Sequence, residues 1–238
     1  MASIVSRSFI MMSLRKSSSL KRIPIVSIRS ISSDHQQQHL RPLMLMNIPR
    51  TPYPNLLLIL KNFVSRAIIS GYFDSTFAMK PFCDGARQAV TAVSQLIANG
   101  QFDDLPGFVT PEVINEVKQN YGNLSVQQKQ LIPVEEGEIV FSYPYLIGLI
   151  MDEQTNKRMV EITMIFHVLK NPESYRDEML DGPGNAASNW ISAVKKMRDD
   201  IIICNYRFLR DMSSDAQDSS WIITGLNHWL PNEYLQQY

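Results

Sequence analysis

The residues of this chain that could do chemistry are few: two imidazoles, two thiols and two aspartate doublets in its longer part, and two further histidines near its start. His167 and His228 titrate near neutrality in their ordinary state, and either could serve as a general base. Cys83 paired with His167 would give an activated thiolate. Asp103-Asp104 and Asp199-Asp200 are the pairs from which acid and base carboxylates could be drawn. His35 and His39 stand four residues apart, the spacing that can hold a metal ion on a helix face.

Position weakens each of these. Adjacent side chains on a strand point to opposite faces, and on a helix they diverge, so neither aspartate doublet converges on one substrate atom. Both histidines fall in or beside strand-like runs, where core and cross-strand roles are expected. Cys83 follows Phe82 on a helical pattern and reads as a packing residue. His35 and His39 flank the Gln36 to Gln38 tract with no third ligand nearby. The nucleotide-binding, nucleophile-elbow and zinc-helix motifs GxGxxG, P-loop, GxSxG and HExxH do not occur. We therefore expect a protein that is not an enzyme, with no catalytic residue, no cofactor and no metal.

The charge distribution says more. Net charge is zero, but residues 1–73 carry ten Lys or Arg and one acid, Asp34, whereas residues 74–238 carry thirteen basic and twenty-two acidic side chains. The first 33 residues contain no acid, many serines and Arg7, Arg15, Lys16, Lys21, Arg22 and Arg29, with Ile4, Val5, Phe9, Ile10, Met11 and Leu14 between them. That composition is expected of a mitochondrial transit peptide over residues 1–33, with cleavage near Arg29, Ser30 and Ile31. The acidic remainder argues against direct nucleic-acid binding, which calls for a basic face. Cys83 and Cys204 show no metal spacing and read as buried thiols, although counting alone leaves a disulfide open.

The elements that must position a site follow from periodicity. Residues 34–54 combine a Gln tract with Pro42, Pro49, Pro52 and Pro54 and read as a linker. Residues 55–73 predict an amphipathic helix: Leu56, Leu57, Leu60, Phe63, Val64, Ala67 and Ile68 mark one face, and Lys61, Asn62, Ser65 and Arg66 the other. Its uninterrupted apolar run is too short to span a bilayer. Two roles stay open, a core helix packed on the next domain or an interfacial helix on an anionic membrane. For the second, Leu56, Leu57, Leu60, Lys61, Phe63, Val64 and Arg66 are the contact residues.

Residues 74–238 read as one domain. Helices are predicted from Pro81 to Asn99, over 103–108, from Thr110 to Gly122 and over 125–131. Strands are predicted over 138–143, 145–151, 159–169, 201–209 and 221–229, with a polar hairpin at 152–157. Helices first and strands afterwards imply an α+β fold, helices packed on a curved antiparallel sheet of about four to five strands. The strand aromatics Tyr143, Tyr145, Phe166, Tyr206, Phe208, Trp221 and Trp229 are expected chiefly in the core. Any that line a concavity would suit an apolar peptide or a lipid tail.

Several stretches carry a family resemblance in their order and wording. Tyr72-Phe73-Asp74-Ser75-Thr76-Phe77, then Phe82, Gly85, Ala86 and Ala89-Val90, then Gln101 to Leu105, and finally Ser220-Trp221-Ile222-Ile223 with His228 follow a leader and an amphipathic helix. The chain resembles, over about residues 50–230, the family named after the forty-four-kilodalton matrix subunit of the mitochondrial inner-membrane translocase, and within it the members that interact with the m-AAA protease. The resemblance implies a cystatin-like domain in the mitochondrial matrix, peripherally associated with the inner membrane. Implied partners are m-AAA protease subunits, imported inner-membrane precursors such as the small essential calcium-uniporter subunit, and anionic lipid. A mitoribosome-associated receptor or ribosomal protein of the same domain family is the alternative.

Overall fold

Helix α2, Met79–Ala98, forms where Phe82, Ala86, Val90, Val93 and Ile97 recur at three- and four-residue intervals, and all five are buried. Gly100, at φ +70°, ends it by turning the chain through the left-handed region, with Gly100 N–H donating to Ile97 and Gln101 N–H to Leu96. The computed structural model describes residues 42–50, 56–152, 157–175, 200–213, 216 and 219–232. Before α2 lies α1, Leu56–Ile68, which runs into a single π-helical turn, Ile69–Phe73. Helix α3, Pro111–Gly122, starts with proline in its first turn, as the sequence predicts, and buries Val113 and Val117. The short α4, Val126–Gln130, is fixed by a reciprocal cap: Gln128 N–H donates to Ser125 Oγ at 3.2 Å and Ser125 N–H to Gln128 Oε1 at 3.0 Å. The helix predicted over 103–108 is a 3₁₀ turn, Phe102–Asp104.

Four strands follow: β1 Ile139–Asp152, β2 Lys157–Leu169, β3 Ile201–Asp211 and β4 Ile222–Trp229. They pair antiparallel in sequence order as an open sheet, so the α+β expectation holds. Two predicted strands, 138–143 and 145–151, are one. Pro144 suggested a break because it has no N–H, but β1 is an edge strand, where no ladder bond need be lost. The chain passes Pro144 with a register shift before Leu146, a bulge rather than a turn.

Alternate residues divide the sheet into two faces. Ile162, Met164, Phe166, Val168, Ile202, Cys204, Tyr206 and Phe208 meet α2 in the main core. Ile165, Ile203 and Trp229 form a smaller cluster with Tyr143 and Tyr145 on the opposite face. The aromatic-core expectation is met by Phe166, Tyr206 and Trp229, each at most 1 % exposed.

The β4 edge is closed twice. Thr110 N–H donates to Ile223 O and Ile223 N–H to Phe108 O. Residues 42–50, within the stretch the sequence suggests is a linker, run past the same strand as a strap. Leu43 and Leu45 are completely buried. Leu45 N–H donates to Asn227 Oδ1 at 2.8 Å, Asn120 Nδ2 to Leu45 O at 2.8 Å, and Asn205 Nδ2 to Pro49 O at 3.2 Å. Proline density excluded helix here but not extended docking. Gly225 makes room for the strap, since a Cβ there would lie 2.9 Å from Ile48 Cδ1.

Candidate functional site

Helix α1 packs on the domain through its polar residues. Asn62 and Ser65, three positions apart, are the buried side chains of the helix, and Ile69 extends their stripe by four. Asn62 Nδ2 donates to Tyr145 O at 2.9 Å and to Pro144 O at 3.3 Å, while its Oδ1 accepts Ile147 N–H at 2.9 Å. Ser65 Oγ donates to Ile147 O at 3.3 Å. These bonds fall at the bulge of β1, where the outer edge of the sheet offers backbone groups with no strand beside them. One amide side chain supplies both donor and acceptor in place of a neighbouring strand.

Consequently the apolar face points away from the domain. Leu56, Leu57, Leu60, Phe63 and Val64 are 51–82 % exposed, and Lys61 and Arg66 are exposed among them. An ordinary core helix would bury those residues and turn Asn62 and Ser65 to water. The structure does the reverse. All seven residues expected to contact a membrane therefore lie on open surface. The helical run Leu56–Phe73 has a mean hydropathy of 1.4 over 18 residues, enough by length and composition alone to cross a membrane. That corrects the expectation drawn from the short apolar run before Lys61, although Asn62 and Ser65 tie the run along β1.

Beside this helix the paired ends of β1 and β2 contribute Met151, Asp152, Lys157 and Arg158 to a groove of about 840 Å³, whose other wall includes Phe63, Val64, Ile68 and Tyr72. Arg158 lies 5.1 Å from the Tyr72 ring centre and donates from Nη1 to Tyr72 O at 3.4 Å.

A second concavity, of about 440 Å³, opens between the first half of α2 and the sheet. Phe77, Phe82, Phe208 and Trp221 form its aromatic wall, with ring centres 4.6 Å apart for Phe82 and Trp221. Gly85, Ala86 and Ala89 keep it open on the helix side. Asp74 and Arg210 stand in the lining, 3.7 Å apart, and two bonds from Thr76 hold the Asp74 carboxyl below its ordinary range. Part of the residues that carry the sequence resemblance meet in one place: Asp74, Thr76, Phe77, Phe82, Gly85, Ala86, Ala89, Trp221 and Ile223 line this cleft, whereas Gln101 to Leu105 and His228 do not.

The residues weighed for catalysis do not meet. His167 points away from the α2 side of the sheet, against Phe141 and Tyr143, and burial pushes its pKa down. Cys83 packs in the main core on the other side of the sheet, and burial raises its thiol. Cys83 and Cys204 are both free thiols. His228 is fully buried, its Nε2 3.0 Å from Tyr206 Oη, and desolvation, with a smaller contribution from Lys170, lowers it to about 3. Asp103 and Asp104 sit exposed on the 3₁₀ turn, and Asp200 accepts a bond from Tyr175 Oη. Asp199, His35, His39 and the expected cleavage position at Arg29, Ser30 and Ile31 fall outside the described residues. Among the described residues no three His, Cys, Asp or Glu side chains cluster as metal ligands. What the described residues do present is an apolar helix face with cations, a groove beside it and an aromatic cleft.

No protein-family model matches the chain. It is similar to the m-AAA protease-interacting protein 1, mitochondrial, of three mammals. The rat protein is 26 % identical over 213 residues, spanning 89 % of this chain and 70 % of the relative. The mouse protein is 26 % identical over 210 residues, 88 % of this chain and 69 % of the relative. The human protein is 25 % identical over 206 residues, 86 % of this chain and 68 % of the relative. The similarity is weak in identity but consistent in extent, running along most of this chain in each of the three.

Proposed function

We propose that this chain is a mitochondrial protein that associates with the m-AAA protease and acts by binding rather than catalysis. The observation that carries the reading is the consistent likeness to m-AAA protease-interacting proteins across most of the chain. The dispersed catalytic candidates fit it. In this reading residues 1–33 direct import, the domain works in the matrix, and α1 holds it peripherally against the inner membrane. The protein shields newly imported inner-membrane precursors, such as the small essential calcium-uniporter subunit, until they are assembled.

An exposed apolar face of this extent supports a surface that some partner covers. Its lack of acids favours anionic lipid as that partner. The aromatic cleft, distant in chemistry from any charged metabolite, suits an apolar segment of a precursor.

Proximity labelling from the tagged chain in intact mitochondria tests the reading. Enrichment of m-AAA protease subunits is expected. Enrichment of large-ribosomal-subunit proteins without protease subunits would place the chain on the mitoribosome instead and overturn it. Fusing residues 1–45 to a fluorescent reporter tests import separately, and a diffuse cytosolic signal would reject it.

A further inference from the structure

The groove between α1 and the β1–β2 hairpin is asymmetric. Its helix wall, Phe63, Val64, Ile68 and Tyr72, is apolar, and no acid occurs from residue 55 to residue 73. Its hairpin wall brings Arg158, Lys157 and one acid, Asp152, to the same opening, with Met151 61 % exposed beside them. Lys157 is shared with acids: it pairs in register with Asp152 across the hairpin and adds a small attraction to Asp211 on β3, whose carboxyl is held low chiefly by two bonds from Ser213. Arg158 is held differently, by the ring and carbonyl of Tyr72. A guanidinium has five donors in a planar fork, so one bond to a carbonyl leaves a positioned face for a phosphate. These cations sit at the apolar edge of a domain that is otherwise acidic, with twenty-two acids against thirteen basic residues after Phe73.

We propose that this groove binds one anionic phospholipid of the bilayer, its phosphate on Arg158 with help from Lys157 and its acyl chain along Phe63, Val64 and Ile68. The inference rests on the membrane role of α1 and deepens it. The hairpin becomes a second point of attachment, and two non-collinear contacts fix the domain's orientation where a helix alone would leave it free to roll. Two cations against one acid, Asp152, leave this wall net positive, which favours an anionic head group over a cationic peptide.

Co-flotation of the full chain with vesicles tests it, using phosphatidylcholine alone and phosphatidylcholine with phosphatidylglycerol. Arg158→Gln should weaken binding to the anionic vesicles about five-fold, the effect of one cation near a charged surface. Arg158→Lys should recover part of that loss, and both variants should bind neutral vesicles like the parent. Lys80→Gln removes an exposed cation that does not line the groove and should change nothing. Equal losses from Lys80→Gln and Arg158→Gln, or no loss from Arg158→Gln, would overturn the groove site and leave α1 binding intact. Displacement of the parent chain by inorganic phosphate alone would also overturn it, by showing a site for free anion. Leu56→Ser with Leu60→Ser, two exposed residues that do not line the groove, separates the two ideas: if that pair floats normally on both vesicle types, the membrane role of α1 itself fails.

Discussion

Replacing Asn62 with alanine removes one small polar side chain from a helix whose apolar residues are the obvious candidates for packing, and it should nonetheless be the most damaging single change in α1. The amide satisfies Ile147 N–H and the carbonyls of Pro144 and Tyr145. Ile147 is fully buried, so its N–H loses its partner without access to water. A buried group left unpaired costs about 1–3 kcal/mol. The two carbonyls belong to half-buried residues and recover part of their hydration, so the whole change should cost about 2–3 kcal/mol. Asn62→Leu should cost as much despite adding apolar surface, because leucine neither donates nor accepts. Phe63→Ser should cost under about 1 kcal/mol, since Phe63 is 69 % exposed and has little burial to lose, where a core phenylalanine would cost about 3–5 kcal/mol when truncated. Urea unfolding followed by tryptophan fluorescence reads all three, and for a domain of this size 2–3 kcal/mol also lowers Tm by roughly 4–12 °C. If Phe63→Ser proves more destabilising than Asn62→Ala, the helix faces the other way and the argument for an open apolar face collapses.

Three further outcomes follow from other parts of the fold. Burial holds His228 neutral down to about pH 3, whereas the unfolded chain protonates it near 6.5, so the unfolded state binds the extra proton between those values. Stability should therefore fall as pH drops below 6.5, by up to about 1.4 kcal/mol per pH unit from this group. His228→Gln should flatten that slope, leaving the smaller, same-signed effect of His167; an unchanged slope in urea midpoints from pH 7 to 4.5 would refute it. Cys204 should resist a thiol reagent at pH 8 until the protein unfolds, and Cys83 should react slowly, because burial raises both thiols; two fast equivalents would contradict this. A chain beginning at residue 51 should be about 3–6 kcal/mol less stable than one beginning at residue 42, through loss of Leu43 and Leu45 from the core, and equal urea midpoints would restore the linker reading.

Periodicity made α2 and the four strands readable because each buries one face and the buried face is also the apolar one. Phe82, Ala86, Val90, Val93 and Ile97 satisfy pattern and burial together. The same rule misleads wherever backbone groups, not side-chain area, decide the packing. In α1, nine of thirteen residues are apolar, so the pattern cannot say which side meets the domain. The spacing of Asn62, Ser65 and Ile69 was the available signal, but its meaning depends on an edge strand some eighty residues later. Pro144 misled in the same way: its missing N–H reads as a break until β1 is known to be an edge. The strap at 42–50 was hidden because proline-rich sequence signals extended chain whether that chain is docked or free. The cleft was legible only in pieces, since its residues are scattered from Asp74 to Ile223 and only the sheet brings them together.

The polar seam of α1 ties the fold to the function. An exposed sheet edge invites pairing with other chains, and under the proposed role in shielding membrane precursors the protein would be surrounded by chains ready to pair. A helix that buried its leucines against β1 would gain apolar contact but leave Ile147 N–H and its neighbouring carbonyls unmet. It would also present no surface to a membrane. With Asn62 and Ser65 turned inward, one helix closes the edge and leaves Leu56, Leu57, Leu60, Phe63 and Val64 outside. At about 1.5–3 kcal/mol for full burial of each, covering even half of that exposed area gains about 3–5 kcal/mol. That exceeds what Lys61 and Arg66 add electrostatically, at about 1 kcal/mol each. Attachment through α1 should accordingly survive high salt, while the contribution of Arg158 at the hairpin should vanish with it. Salt titration of vesicle binding, parent against Arg158→Gln, should show two curves that differ at low ionic strength and merge at high. Parallel curves would mean that Arg158 contributes no screened attraction to lipid.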